Sequence, residues 1–349
     1  MKRREFLKTL SVGVGGASMA LPHLLRASTN TPPGEAPNVL FLIIEDMTPH
    51  LGCYGADYVK TPNLDRLAAR GLQMDRAYCQ QPVCAASRAS FLTGLRPDST
   101  GVDYPYSYYF MEEVLPTYGD MPQFFYNNGF YTRCFGKNHH GPVNEDYSAP
   151  AFSEDAPRYF KPEHQNFESK LERPPYEKTD APEEAHADGQ IAQAIIEEIN
   201  RSDQRDRPFF LSAGFHLTHL PLVVPEKYWD MYDRVDIPLP ENPDRPEEAP
   251  EIAFQNSNNL ARHQHPEDIF SPEYIREIRH AFFASTTFLD AQIGKILGAL
   301  KEQGLQDDTV VMITADHGYH LGEMKLYAKT TLFEEGLHVP MIVAGPDVP

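Results

Sequence analysis

Cysteine and positive charge are both scarce in this chain, and each shortage closes off a class of protein. Four cysteines among 349 residues cannot build a disulfide-dense scaffold, and no pair of them has zinc-ribbon spacing. With 31 Lys and Arg against 50 Asp and Glu, the formal net charge is −19. The mean field therefore repels nucleic acid and anionic membranes alike. Long apolar runs are missing too. The stretch Leu10–Leu21 falls short of the about 20 residues a membrane helix needs, and Gly and Ser dilute it. These shortages predict no nucleic-acid partner and no stable membrane insertion. What the chain does have is 41% hydrophobic residues in a length that suits one large α/β domain or two ordinary ones.

Lys2-Arg3-Arg4 stands directly before that apolar stretch, and Ser18-Met19-Ala20 offers a small-residue cleavage site, with Ala27 a second. Residues 1–27 resemble a twin-arginine (Tat) export signal, which implies a bacterial protein, exported folded by the Tat machinery and periplasmic or secreted. Residues 28–36 read as a Pro/Thr linker and 37–349 as the folded part.

Within that part, Asn38–Ile44 is continuously apolar, as suits a parallel strand covered on both faces. Thr61-Pro62 reads as N-cap and first helical residue of a helix stopped by Gly71. A second helix holds Met121, Phe124 and Phe125 and ends near Gly129. Further strands are predicted at 130–135, 209–213, 309–314 and 339–344, and further helices at 190–201 and 273–303. This alternation predicts an α/β/α sandwich around a mainly parallel sheet. Two segments break the rhythm, 142–187 and 235–272; both are rich in Pro, Asp, Glu and His and read as irregular insertions at the rim of a site.

In open α/β sheets, ligands bind beyond the carboxyl ends of the strands. Three of the predicted strands run into polar groups there: Glu45-Asp46, His216 to Pro221, and Asp316-His317-Gly318. Carboxylates from separate strand ends can converge on one hard cation, because Ca²⁺ and Mg²⁺ take oxygen ligands. The run Cys84-Ala85-Ala86-Ser87-Arg88, leading into Leu92-Thr93-Gly94, resembles the signature of type I sulfatases, of the alkaline-phosphatase-like superfamily. Read without that likeness, Cys84 is a buried thiol at a helix start and Arg88 lies on a surface turn.

The resemblance extends along the chain. It takes in Asn38 to Asp46, Leu51-Gly52-Cys53-Tyr54-Gly55, and Thr61-Pro62-Asn63-Leu64-Asp65. It continues through Gly136-Lys137-Asn138-His139-His140, His216 to Pro221, Asp316-His317-Gly318, Lys329 and His338-Val339-Pro340. Within the family, the Gly-Cys-Tyr-Gly segment and the run from Cys84 to Asp98 are most similar to the iduronate-2-sulfatase subgroup.

The resemblance implies a sulfuric ester hydrolase in which Cys84 is oxidised to formylglycine by a formylglycine-generating enzyme. It further implies a Ca²⁺ ion held by Glu45, Asp46, Asp316 and His317 beside residue 84. In that scheme the hydrated aldehyde presents two hydroxyls. One attacks sulfur and displaces the alcohol; the other then loses its proton and expels sulfate. His219 is the implied acid for the departing sugar oxygen and His140 the implied base, with His139 its competitor. Lys137 and Lys329 are implied to hold sulfate oxygens, and Arg88 to orient the hydrated residue. The implied substrate is a sulfated oligosaccharide carrying a uronate 2-O-sulfate.

The sequence departs from the family at Ala86, where Pro is commoner, at Glu45, where Asp is usual, and at Thr218, which replaces the Pro of His-x-Pro-His-x-Pro. Family members usually continue past His338-Val339-Pro340 into a C-terminal subdomain, so the resemblance implies that this subdomain is missing here. Two other readings stand beside this one: a formylglycine-dependent phosphodiesterase or phosphonate hydrolase, and an inactive shortened product that binds anionic glycans. Cys53, Cys79 and Cys134 read as reduced core thiols, His216 as a hydrogen-bonded structural residue, and Trp229 as packing rather than part of a sugar subsite.

Overall fold

A computed structural model describes residues 36–103, 114–140, 156–254 and 260–348. The export-signal and linker readings, and the parts of the two insertions at 142–155 and 255–259, lie outside the described residues.

Six strands form the central sheet: β1 (Asn38–Ile44), β2 (Leu72–Gln73), β3 (Tyr131–Gly136), β4 (Phe209–Gly214), β5 (Thr309–Ala315) and β6 (Met341–Ala344). Their spatial order is β2-β6-β5-β1-β4-β3. The four from β5 to β3 are parallel, while β6 runs antiparallel to β5 and β2 antiparallel to β6. The predicted strand 339–344 is split in two: His338–Val339 pairs with Ala77–Tyr78, and the chain enters the sheet only after Pro340. Proline lacks the N–H a continuous ladder needs, which accounts for the break.

Five helices cover the sheet: α1 (Pro62–Ala68), α2 (Cys84–Thr93), α3 (Met121–Asn127), α4 (Ala187–Asn200) and α5 (Pro272–Glu302). Side chains of β1 alternate between two cores. Leu40, Leu42 and Ile44 pack with Leu64 of α1, Ile191 and Ile195 of α4, and Leu289 and Ile293 of α5. Phe41 and Ile43 pack with Leu92 of α2 and Phe125 of α3, and Phe125 stacks on Phe210 with ring centroids 4.4 Å apart. Burial on both faces explains why β1 reads as one unbroken apolar run. Each such fully buried side chain contributes about 1.5–3 kcal/mol of transfer free energy. The architecture is the expected α/β/α sandwich.

A further core forms where α5 extends beyond the sheet. Ile275, Ile278 and Phe282 meet Leu222, Val224 and Trp229 there. Trp229 stacks on His280 at 4.3 Å, so its job is packing. Tyr176–Thr179 pairs in parallel with Leu222–Pro225, so the segment read as irregular carries a strand of its own. All four cysteines are free thiols; Cys134 is buried, and Cys53 and Cys79 pack half-buried against the larger core.

α1 starts where the sequence places it, with Thr61 as N-cap and Pro62 the first helical residue, but its amides are capped by another residue. Thr61 makes no side-chain cap bond; its hydroxyl donates to Asp65 and accepts from the Gly52 N–H. The orphan amides of Asn63 and Leu64 donate instead to the carboxylate of Asp290, 3.1 and 2.8 Å away on α5. A capping acceptor more than two hundred residues distant in sequence leaves no local signal. Burial pushes Asp290 up to about 6, against the opposing pull of these amide bonds. The folded chain therefore holds a proton that the unfolded chain, with a pKa of about 3.9, releases between these values. The contribution of this group is full below pH ~4 and fades as pH rises through about 6. Asp290→Ala is predicted to lose about 0.5–2 kcal/mol of unfolding free energy, with a larger deficit near pH 4 than near pH 7, read by urea titration at both pH values.

Candidate active site

Parallel pairing brings several strand ends to one edge. Ile44 lies opposite Ala315, and Ile43 and Gly136 both lie opposite Gly214. The chain leaves β1 at Glu45-Asp46, β5 at Asp316-His317 and β3 at Lys137-Asn138. Close approach is built in at Gly214, where a Cβ would sit 1.9 Å from the Lys137 carbonyl oxygen. Asp46 adopts a left-handed backbone (φ 56°), a conformation Asp tolerates better than most residues and one that clusters at functional sites.

Cys84 is the first residue of α2 and is buried. Its Sγ lies 3.0 Å from Lys329 Nζ, 3.2 Å from His317 Nε2 and 3.6 Å from Glu45 Oε1. Lys329 also donates to Asp46 Oδ1 at 2.6 Å, and Lys137 pairs with Glu45. Arg88, one turn along α2, is 1% exposed. Its Nε donates to Asp316 Oδ2 at 3.0 Å and its Nη1 to the carbonyls of Lys137 and Asn138. The surface-turn reading of Arg88 is thus wrong: three acceptors from two strand ends hold the guanidinium inside. The predicted residues Glu45, Asp46, Cys84, Arg88, Lys137, Asp316, His317 and Lys329 form one buried cluster.

Its electrostatics follow from three carboxylates facing three cations. Burial alone would raise Glu45, but Lys137, His219 and Arg88 hold it well below the usual carboxylate range. Asp46 goes the other way, since burial outweighs the pull of Lys329. Asp316 is held at about 2, its burial overcome by His317 and Arg88. Burial would also lower Lys329, yet Asp46 and the neighbouring acids hold it well above the ordinary lysine value.

The donor set suits a divalent cation. Asp46, Cys84 and His317 form one group of convergent ligand atoms, and Glu45, Cys84 and Asp316 another. Asp46 Oδ2 is buried with no hydrogen-bond partner. Carboxylate oxygens dominate, as a hard cation such as Ca²⁺ prefers. His317 Nδ1 lies 3.0 Å from the Gly318 carbonyl, a contact that keeps the proton on Nδ1 and leaves Nε2 as a ligand atom. The extra methylene of Glu45 does not take its carboxylate out of the cluster.

The histidines separate by position. His139 Nε2 lies 2.7 Å from Asp120 Oδ2, so His139 is buried in a structural pair. His140 is half-buried with Nδ1 free, and burial followed by the charge of Lys137 lowers it to about 4. His219 borders a cavity of about 420 Å³ that also reaches Glu45 and Lys137. Its Nδ1 bonds the Leu220 carbonyl at 2.7 Å, and burial lowers it to about 4. His216, read as merely structural, lines the same cavity, with Nε2 unpartnered.

Two supports had no sequence signal. Asp188, in the first turn of α4, accepts the backbone amides of His216 and Leu217 at 2.7 and 2.9 Å. Thr218, the departure from the Pro-containing pattern, donates its backbone N–H to the Glu45 carbonyl at 2.9 Å. Its hydroxyl lies 3.2 and 3.0 Å from the carbonyls of Glu45 and Asp46. The residue at this position therefore adds two donors that brace the Glu45-Asp46 turn, and proline could supply neither.

Over residues 37–349 the chain matches the family model described as Sulfatase. It is 31% identical to human iduronate 2-sulfatase across 97% of this chain, and it spans 64% of the length of that relative. Among solved structures it is similar to a putative sulfatase from Bacteroides fragilis (TM-score 0.65, 24% identity, 93% of this chain and 70% of that one). It is also similar to a phosphonate monoester hydrolase from Silicibacter pomeroyi (TM-score 0.69, 21% identity, 89% and 68%). At these identities the two structures speak for the shared alkaline-phosphatase-like fold.

Removing Arg88 leaves Asp316 buried without its counter-charge. Arg88→Ala is therefore predicted to cost about 3–5 kcal/mol of unfolding free energy, measured by chemical denaturation of the metal-free protein. A loss below about 1 kcal/mol would show that Asp316 is not held by this pair.

Proposed function

The chain belongs to the sulfatase family, and on that premise we propose that it hydrolyses the sulfate ester of a sulfated sugar. The substrate class is a uronate 2-O-sulfate in a polysaccharide-derived oligosaccharide, the sugar named in the human relative. The observation that carries this reading is the meeting of Cys84 with Glu45, Asp46, Asp316, His317, Lys137 and Lys329 at one buried point. As a thiol, Cys84 is pushed up to about 11 by burial, so at neutral pH it is protonated and a poor nucleophile. Formylglycine made from Cys84 by a formylglycine-generating enzyme supplies, as its hydrate, the oxygen nucleophile such a site needs. Glu45, Asp46, Asp316 and His317 would hold a Ca²⁺ ion, which would supply charge to polarise an oxygen and offset the sulfate.

The remaining work falls to the side chains. Lys137 and Lys329 would hold the sulfate oxygens, which places positive charge where the ester brings negative charge. Arg88, fixed by Asp316 and two carbonyls, orients residue 84. His219 stands at the cavity wall to protonate the departing sugar oxygen; the sulfate beside it favours the imidazolium form that burial disfavours. His140, neutral and free at Nδ1, takes the proton whose loss precedes sulfate release. Export by the Tat machinery would place this chemistry in the periplasm or outside the cell, where polysaccharide fragments are met.

The test is sulfate release from an aryl sulfate and from a 2-O-sulfated uronate by the full chain, made in a host with formylglycine-generating enzyme. Cys84→Ser is predicted to lower turnover more than about 10³-fold with an unchanged circular dichroism spectrum; retained turnover contradicts the proposed nucleophile. Chelation is predicted to abolish activity and lower Tm, with Ca²⁺ restoring both. A faster rate on an aryl phosphodiester or phosphonate than on the sulfate would overturn the substrate class.

A further inference from the structure

Among the described residues, four with ionisable acidic or strongly basic side chains line the cavity beside the charge cluster: Glu45, Lys137, Arg158 and Asp188. Glu45 and Lys137 are paired with each other. Asp188 is turned into the backbone amides of His216 and Leu217. Arg158 is different. Among the described residues it has no carboxylate partner, in a chain with 50 acidic residues. Its one hydrogen bond runs from Nη2 to the Leu220 carbonyl at 3.4 Å. That contact sets the guanidinium beside the His219 loop and leaves most of its five donors unused.

The wall next to it is aromatic. Phe160 lies 4.6 Å from the His186 ring, and His186 lies 5.2 Å from Phe288. Burial lowers His186 to about 4, so the wall is uncharged at neutral pH and suits the C–H face of a sugar ring. The cavity thus has a reactive side (Glu45, Lys137, His219), an apolar wall and one uncompensated guanidinium on the segment 156–160. A planar fork of N–H donors matches a carboxylate bidentately.

We propose that Arg158 binds the carboxylate of the substrate's sugar ring, so that the site selects a doubly anionic sulfated uronate over a sulfated neutral hexose. This rests on the sulfatase reading above and adds to it a specificity residue from a segment outside the motifs. Because Arg158 lies against the Leu220 carbonyl rather than residue 84, its loss is expected to weaken binding rather than chemistry.

The experiment compares the full chain with Arg158→Gln and Arg158→Lys on two matched substrates, a 2-O-sulfated uronate and the same sugar reduced to the neutral hexose 2-O-sulfate. For Arg158→Gln, KM on the uronate is expected to rise about 10- to 100-fold more than on the hexose, the worth of a charged hydrogen-bonded pair. Turnover at saturation should change little, and Arg158→Lys should recover part of the loss. Equal effects on both substrates, or none on either, would overturn the role of Arg158 while leaving the sulfatase reading in place. If the unaltered chain, with Cys84 oxidised, releases sulfate from neither substrate, the sulfatase reading itself fails.

Discussion

The structure depends on a balance of buried charge. Glu45, Asp46 and Asp316 leave two strand ends into a space almost without water, and each alone would carry a desolvation penalty of several kcal/mol. Arg88, Lys137 and Lys329 offset them from α2, from the end of β3 and from the loop before β6. Every pair crosses between elements far apart in sequence, so the balance exists only when the sheet is assembled and α2 is docked. A cluster that is formally neutral in itself can take a doubly charged cation and still attract a sulfate. That local reversal is what the proposed sulfate hydrolysis needs in a chain of net charge −19.

The sheet makes the balance possible. Parallel strands β5, β1, β4 and β3 deliver their carboxyl ends to one edge, and Gly214 lets the Lys137 backbone come close enough for Arg88 to bridge strand ends. Thr218 and Asp188 then tie the His216–Pro221 loop to the Glu45-Asp46 turn and to α4. The cavity is lined by that loop together with Glu45 and Lys137, so the residues proposed to hold sugar and those proposed to hold sulfate share one set of backbone anchors.

Much of this was legible in the sequence. Apolar runs gave the four parallel strands within a residue or two, though not the short strand β2 or the break at Pro340. The polar groups at strand ends named Glu45, Asp46, Asp316 and His317, and the family resemblance added Cys84, Arg88, Lys137 and Lys329, which meet them in space. Legibility failed where the partner was remote. Nothing near Thr61 announces that Asp290 caps α1, and nothing near Arg88 shows that its guanidinium points inward to Asp316. It failed again where a residue's value lies in its backbone contacts, as with Asp188, or where a departure from pattern looked like loss. Thr218 appeared as a missing proline and proves to be a brace. Spacing favoured His140 over His139 only slightly; the pairing of His139 with Asp120 separates them.

The central claim is that residue 84, against this charge cluster, is not a thiol in the working protein. Mass spectrometry of the tryptic peptide containing Cys84, from protein made with its own maturation machinery, tests it most directly. The account predicts that the sulfur is gone and that an aldehyde, trapped by a hydrazide reagent, stands in its place. An intact thiol that alkylates fully with iodoacetamide after unfolding would contradict it.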